Sequence, residues 1–568
     1  MAHSGQNARQ SRRSLRWAGR LAGLVVGAGA ACLPSSGRAD AILTWNDELL
    51  SAIRQTSGLM VDGPPEVARE MAMVDTAMYD AVNAASGLPY SRYAYTGPAV
   101  ANASVDAAAL SAGYQVMNSI FSNPIWAHNP GGSAAIQSSV LASIGSTYNT
   151  ALAALGTGSA VTAGLSLGQT AAGDMIANRA TDGSGPAIIT GLTPYTPPGS
   201  GTVPGVYVPP SASGGRPAMF PTWNTVKPFG IPLSTIRANE AQLPIVQQIN
   251  QQGLPAFIQS AQYAKYVLQT ECTGSATPLT GSIATACGAA GFAPETAAQK
   301  TAALFWNDPG TTMQPPGHWL QITDTVMTSQ NLTELQEARL SALVSIAEND
   351  AGLGAWDVKY QETLWRPITA IHDCNVWNSF FATCDPSWSS VIATPPHPDY
   401  VAGHPAFSGA AATVLELFFG TDNIAFSSIS DTYCNSGTPV RNANGNITGC
   451  VVGGSTITQC NDLPTGGIQF NDSPLICPIT ETFGSFSDAS SGLNGAEFSR
   501  VAGGIHTPFA VEDALTLGNL IGAEDFENGL HFVAEPASAM LLTPCLAALS
   551  LLRRRKASRP GSVTNRCV

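Results

Sequence analysis

The property that most restricts what this chain can fold into is its helical periodicity. Alanine-rich stretches over residues 65–85, 104–121, 134–155 and 160–180 place apolar residues three and four apart, the spacing of one helix face. Helical patterns resume over 293–306 and over 333–350, where Thr333 and Gln336 have capping-box spacing. Two more follow at 405–419, with Pro405 in the first turn and Gly420 beyond the end, and at 510–520. No strand-period alternation persists, so an all-α fold is expected. From about Gly183 to Pro232 the chain is rich in Pro, Gly, Thr and Ser, which predicts a long irregular crossing segment that wraps the surface. Residues 421–485 are loop-like as well. An apolar content of 44% with 11% charged residues marks a globular chain.

The two ends read as processed segments. Residues 1–39 carry Arg9, Arg12, Arg13, Arg16 and Arg20, an apolar run from Leu21 to Leu33, and Gly37-Arg38-Ala39. That order predicts a signal peptide removed before Asp40. Ser11-Arg12-Arg13 is loosely similar to a twin-arginine signal, and Cys32 is a candidate lipidated cysteine. At the other end, Glu535-Pro536-Ala537-Ser538 precedes an apolar stretch from Ala539 to Leu552 and then Arg553-Arg554-Arg555-Lys556. This resembles the PEP-CTERM sorting tail of bacterial exported proteins over 534–568, with Ala534 where the fuller motif has proline. The resemblance implies export, a C-terminal membrane segment before processing, contact with sorting machinery at the membrane, and a final periplasmic, cell-surface or extracellular location. A plain C-terminal anchor helix is the alternative.

Residues 1–39 and 537–568 hold six basic residues each and no acidic ones. Removing those twelve from the 26 Lys and Arg leaves 14 against 39 Asp and Glu, a net charge of −25. So acidic a surface repels nucleic acid and anionic lipid, so no nucleic-acid partner is expected, and any tight cluster of basic residues is conspicuous. Of eleven cysteines, eight fall between residues 272 and 477. In an oxidising compartment their close spacing predicts four local disulfides, Cys272–Cys287, Cys374–Cys384, Cys434–Cys450 and Cys460–Cys477.

Three segments stand out from the acidic background. The first runs from Trp356 through Lys359 to Trp365-Arg366-Pro367. If it is helical, seven residues turn about 700°, which sets Lys359 and Arg366 about 20° apart on one face, where two stacked cations need a counter-anion. The second is Pro395-Pro396-His397-Pro398-Asp399-Tyr400-Val401-Ala402-Gly403-His404-Pro405. Its glycine allows close backbone approach, and His404 sits at the cap of a helix whose free N–H groups attract anions. The third is Ser499-Arg500-Val501-Ala502-Gly503-Gly504-Ile505-His506. Arginine offers a planar donor fork suited to oxyanion oxygens, and His506 offers a ring nitrogen to a metal or to phosphorus.

Together, Lys-x6-Arg-Pro, Gly-His and Ser-Arg-x5-His resemble the three-part signature of vanadium-dependent haloperoxidases and type-2 phosphatidic acid phosphatases. Pro315-Pro316-Gly317-His318-Trp319, Trp365 to Ile371 and Phe407-Ser408-Gly409-Ala410 are also similar to the bacterial haloperoxidase-like group. The likeness extends from roughly residue 60 to residue 520. It implies two four-helix-bundle-like halves, here 40–240 with the crossing segment and 241–530 with the site. It implies vanadate as cofactor, with Lys359, Arg366 and Arg500 on its oxygens, Gly403 donating its backbone N–H, His404 as acid–base and His506 as axial ligand to vanadium. The activity implied is oxidation of halide by hydrogen peroxide to hypohalous acid, with a small organic molecule as acceptor. His397 resembles the bromide-oxidising members, which favours bromide. In the phosphatase relatives the residue at the His506 position is the nucleophile and phosphate is the substrate, so phosphomonoester hydrolysis is the alternative.

Two departures bear on this. Ala402 stands where the family has serine, removing a hydroxyl donor worth roughly 1.5 to 3 kcal/mol unless Ser408 or water replaces it. Ala510 stands where many relatives have an aspartate that bonds a catalytic histidine, so Asp513 or Glu512 would have to substitute. These alanines leave room for a catalytically impaired, surface-associated relative. His318 reads as a buried structural histidine, or as a residue bordering the pocket.

Overall fold

In a computed structural model, residues 40–128, 132–210, 215–293, 296–373, 384–431, 438–441, 447–452, 455–457 and 480–533 are described. The first helices are α1 (Ala41–Thr56), α2 (Pro64–Ala85), α3 (Val105–Phe121), α4 (Ile125–His128), α5 (Ala134–Leu155), α6 (Ser159–Arg179) and α7 (Ser184–Gly191). After a 3-10 turn, Trp223–Thr225, come α8 (Leu233–Glu240), α9 (Pro244–Gln252), α10 (Leu254–Ile258), α11 (Ala261–Thr273), α12 (Gly281–Ala290) and α13 (Ala297–Phe305). The last group is α14 (Gln314–Gln330), α15 (Glu334–Glu362), α16 (Pro367–His372), α17 (Gly403–Phe419), α18 (Phe486–Ser491), α19 (Ala496–Ala502) and α20 (Pro508–Asn528). The all-α expectation holds. Among the described residues no helix is long and apolar enough to cross a membrane, and the leader and the tail lie outside them.

The long α15 is the axis of the fold. It packs against α2 on one side and against α17 and α20 on the other, while α2, α3 and α6 pack together, so one hydrophobic core runs through both stretches. Its start is capped as the sequence suggests: the Thr333 N–H donates to Gln336 Oε1 at 3.0 Å. Its end corrects the sequence. The helix stops at Glu362, Thr363 turns into the left-handed region at φ 47°, and Arg366 is extended at ψ 155°. Pro367 accounts for this, since a proline disfavours the helical conformation in the residue before it. Lys359 and Arg366 therefore do not share a helix face.

The crossing segment also differs from expectation. It includes α7 and the 3-10 turn, and it does not merely wrap the surface, because Phe220, Trp223, Val226, Phe229 and Ile231 are buried in the core. Two of its stretches grip the chain beyond α15. Tyr207 N–H donates to the Thr363 carbonyl at 2.7 Å, and Trp365 N–H to that of Gly205 at 2.9 Å. Met219 N–H bonds the Pro396 carbonyl at 2.8 Å, and the Met219 carbonyl accepts from Trp356 Nε1 at 3.2 Å and Tyr360 OH at 2.6 Å. Residues 421–485 are not wholly loop. β1 (Phe426–Ile429) pairs antiparallel with β5 (Thr480–Phe483), and β2 (Thr438–Arg441), β3 (Ile447–Val452) and β4 (Ser455–Ile457) form a small antiparallel sheet. These strands are too short for an alternating pattern to register in the sequence.

The Cys272–Cys287 disulfide is formed, and Cys384 is also disulfide-bonded. The pairings Cys374–Cys384, Cys434–Cys450 and Cys460–Cys477 each involve side chains outside the described residues.

The interior is rich in carboxyl groups. Burial pushes Asp75 up to about 7 and Glu66 up to about 7, and it pushes Asp62, Glu240 and Glu271 up to about 8. Each is a stronger proton acceptor folded than unfolded, so its contribution to stability is full below the unfolded value near 4 and is lost as pH rises through 7 to 8. Buried histidines with lowered values act in the opposite sense, but they are fewer. The thermal midpoint should therefore fall as pH is raised from 5 to 8. A midpoint that rises over this range in a calorimetric series would show that these carboxyls are not protonated in the fold.

Candidate oxyanion site

The three basic segments meet. Lys359, in the last turn of α15, is fully buried, and its Nζ donates to the carbonyls of Pro398 at 2.9 Å and Asp399 at 3.3 Å. Arg366, at the N-cap of α16, donates from Nε to the His397 carbonyl at 2.6 Å and from Nη1 to the Ile505 carbonyl at 2.7 Å. The same Nη1 lies 3.0 Å from His506 Nε2, and Nη2 lies 2.9 Å from His397 Nδ1. Arg500, on α19, donates to Ser499 Oγ at 3.0 Å and to the Ala303 carbonyl at 3.2 Å, with Nη1 3.3 Å from His404 Nε2. Among the described residues none of these three buried cations has a carboxylate within ion-pair distance. Burying an ion costs several kcal/mol, and the nearby Asp399 and Asp308 offset this only in part, since neither forms an ion pair with these cations.

The α17 helix brings the fourth element. Ala402 is its N-cap, Gly403 its first residue and His404 its second, so His404 stands two places inside the cap rather than at it. The first N–H groups of a helix have no intrahelical partner, which gives Gly403 a free donor end. A side chain at Gly403 would press on Trp356, at 3.2 Å from its ring. The loop before α17 is tied down twice, by Asp399 N–H to the Leu364 carbonyl and by Ala402 N–H to the Ala510 carbonyl, both at 2.9 Å. The chain after Arg500 must reverse tightly to present His506. Gly504 does this at φ +75°, where a Cβ would also meet the Gly274 carbonyl at 2.2 Å.

His506 shows how its ring is set. Nδ1 lies 2.7 Å from Asp399 Oδ1, and the other oxygen of Asp399 accepts from Thr507 Oγ1 at 2.8 Å. Arg366 has no lone pair to offer, so its contact with Nε2 requires Nε2 to accept and Nδ1 to carry the proton toward Asp399. A lone pair on His506 thus faces the cations. Asp399 does what the sequence left to Asp513 or Glu512. Asp513 instead accepts from Tyr400 OH at 2.6 Å and from the Ile245 N–H at 3.2 Å. Asp399 was overlooked because a single Asp among prolines reads as a turn residue.

Burial, with the neighbouring cations adding to it, holds His397, His404 and His506 well below the usual histidine range. Burial and Arg366 lower Lys359 well below its ordinary value, opposed by Asp399. Arg366 is brought down to about 10 and Arg500 to about 9, both by burial. Burial lifts Asp399 to about 6, opposed mainly by Arg366. His318 is a buried histidine held by Asp308 at 3.2 Å and Ser428 at 3.0 Å, and Asp308 in turn lies 4.0 Å from His404 Nε2. Ser408 accepts from Trp319 Nε1 at 2.7 Å.

The site thus gathers three buried cations and three histidines within an all-helical fold. The family described as the VCPO second helical-bundle domain matches residues 339–534, which contain Lys359, Arg366, His397, Asp399, Gly403, His404, Arg500 and His506. Vanadium chloroperoxidase of Curvularia inaequalis is 26% identical over 142 residues, which cover 21% of this chain and 23% of that protein. A bacterial vanadium-dependent iodoperoxidase structure matches 87% of this chain and 97% of its own at TM-score 0.60 and 20% identity. A holo-type bacterial vanadium-dependent chloroperoxidase matches 85% and 96% at TM-score 0.53 and 15% identity. Residues 339–534 thus match a domain of the vanadium haloperoxidases, and the fold as a whole is the one these haloperoxidase structures share.

An anion of tetrahedral shape should stabilise this protein. Orthophosphate at about a hundred times its Kd should add about 2.7 kcal/mol to the unfolding free energy, seen as a rise in Tm. Asp399→Asn should raise the phosphate concentration for half-maximal stabilisation roughly 10- to 100-fold by releasing the His506 ring. Equal phosphate dependence in the two proteins would show that Asp399 does not orient the site.

Proposed function

We propose that this chain is a vanadate-dependent haloperoxidase that oxidises halide with hydrogen peroxide to hypohalous acid. The single observation that carries the proposal is the grouping of three buried cations that form no ion pair among the described residues, with Arg366 against His506 Nε2 and Arg500 against His404 Nε2. The donor set suits vanadate: Lys359, Arg366, Arg500 and the Gly403 N–H offer directed hydrogen-bond donors, and His506 Nε2 offers one ligand. When bound, vanadate supplies a Lewis-acidic centre at which hydrogen peroxide becomes electrophilic.

The protein's own groups do the rest. Lys359 and the two arginines hold negative charge in a site from which water is largely excluded. Asp399 keeps the proton of His506 on Nδ1, so that Nε2 remains a ligand. His404 is the most exposed of the site histidines, its side chain 15% accessible, and it moves a proton at Nε2. Conversion of halide and hydrogen peroxide to hypohalous acid and water consumes one proton, which this histidine is placed to relay. Bromide is the halide we favour, on the presence of His397 against Arg366. A small organic acceptor then takes the halogen. Export and membrane sorting through the terminal segments belong to the same proposal.

One feature favours a second activity. A histidine with Nδ1 held by a carboxylate and its lone pair on Nε2 is also set up as a nucleophile toward phosphorus once Arg366 turns from that nitrogen to a bound phosphate, so phosphomonoester hydrolysis would use the same residues. With Ala402 in place of a hydroxyl donor, a relative with impaired catalysis is the third reading. In a bromide- and peroxide-dependent dye-halogenation assay, activity should require added orthovanadate and fall to background in His506→Ala. Hydrolysis of p-nitrophenyl phosphate that orthovanadate inhibits, without halogenation, would assign the site to phosphate esters instead. Neither activity would favour the impaired relative.

A further inference from the structure

The outer side of α15 carries a second concentration of charge. A cavity of about 450 Å³ opens between α8, α9, the 3-10 turn and the last turns of α15. Glu240, Asp357 and Glu362 line it, with Arg237 as the one cation among its lining residues. Asp357 is satisfied, since Oδ1 accepts from Asn224 Nδ2 at 2.9 Å and Oδ2 from Arg237 Nε at 2.8 Å. Glu240 is not. It is 5% exposed, and its Oε1 has no hydrogen-bond partner among the described residues. Gln361 bonds the side chain of Glu240 but leaves Oε1 open, and Arg237 is already committed to Asp357, so burial keeps this carboxyl protonated until a cation enters the cavity and draws it into its charged form.

The size and lining of the cavity indicate what that cation is. At about 30 Å³ per water molecule, the volume suits a small molecule better than a bare ion. Among the described residues no three His, Cys, Asp or Glu side chains are grouped to hold a metal. Val246 and Val358 supply a short apolar wall beside the carboxylates. We propose that this cavity binds a small organic cation, a primary alkylammonium or alkylguanidinium. Its N–H groups donate to Glu240 and Glu362, and its alkyl chain lies on Val246 and Val358. The site is separate from the oxyanion site and does not depend on the activity assigned there.

Calorimetric titration of the purified protein with n-butylammonium and butylguanidinium tests this, with butyltrimethylammonium and calcium as comparison cations. Saturable one-site binding of a primary cation is expected. Glu240→Gln, which keeps the shape and removes the charge, should weaken it roughly tenfold or more, and butyltrimethylammonium, lacking N–H donors, should bind at least roughly tenfold more weakly than butylammonium. The variant should keep the helical circular dichroism and the cooperative thermal unfolding of the wild type, which shows that the fold is intact. Absence of saturable binding to wild type, equal affinity in Glu240→Gln, or calcium binding in place of the organic cations would overturn the proposal.

Discussion

Three cations buried without a carboxylate partner are the constraint around which this structure is organised. Lys359, Arg366 and Arg500 come from three places in the chain, and each is held by backbone carbonyls instead of by an opposite charge. Carbonyl dipoles position a cation without pairing its charge, and three cations outnumber the two nearby carboxylates, Asp399 and Asp308, so the arrangement attracts an anion. Holding such a cluster together requires rigid surroundings. The long α15 sets the lysine, the grip of residues 205–207 on 363–365 sets Arg366, and the Gly503-Gly504 reversal delivers His506. The crossing segment therefore serves the site as well as linking helices, because Met219 ties Trp356, Tyr360 and Pro396 to one another.

Much of this was legible in the sequence. The helices α2, α3, α5, α6 and α17 lie where three-and-four spacing puts them, and the site residues Lys359, Arg366, Gly403, His404, Arg500 and His506 come together. What escaped was tertiary. The local period around Lys359 continues a helix that Pro367 forces to end, so the right residues were paired for the wrong geometrical reason. The crossing segment has a composition that signals loop, yet its aromatic residues find the core, and composition does not say where a ring will be buried. Asp399 has no local mark at all, since its role depends on His506, 107 residues further on.

The two alanines that depart from the family pattern look different in the fold. Ala402 and Ala510 are joined by a backbone hydrogen bond, and both are fully buried, so they staple the loop carrying Gly403 to the start of α20. The carboxylate missing at position 510 is supplied by Asp399 from the opposite side. The hydroxyl missing at 402 is not replaced at its own position, and Ser408, whose Oγ accepts from Trp319 Nε1, keeps its own O–H to donate. The site thus keeps its charge and its histidine orientation while lacking one neutral donor, which would lower oxyanion affinity without removing the site.

The central claim is that these cations and His506 form one oxyanion site, and equilibrium titration with orthovanadate tests it most directly. The wild-type protein should bind one equivalent saturably, and Lys359→Met and His506→Ala should each abolish or severely weaken that binding while retaining the helical circular dichroism of the parent. Absence of saturable binding to wild type, or binding that both folded variants retain in full, would contradict the account.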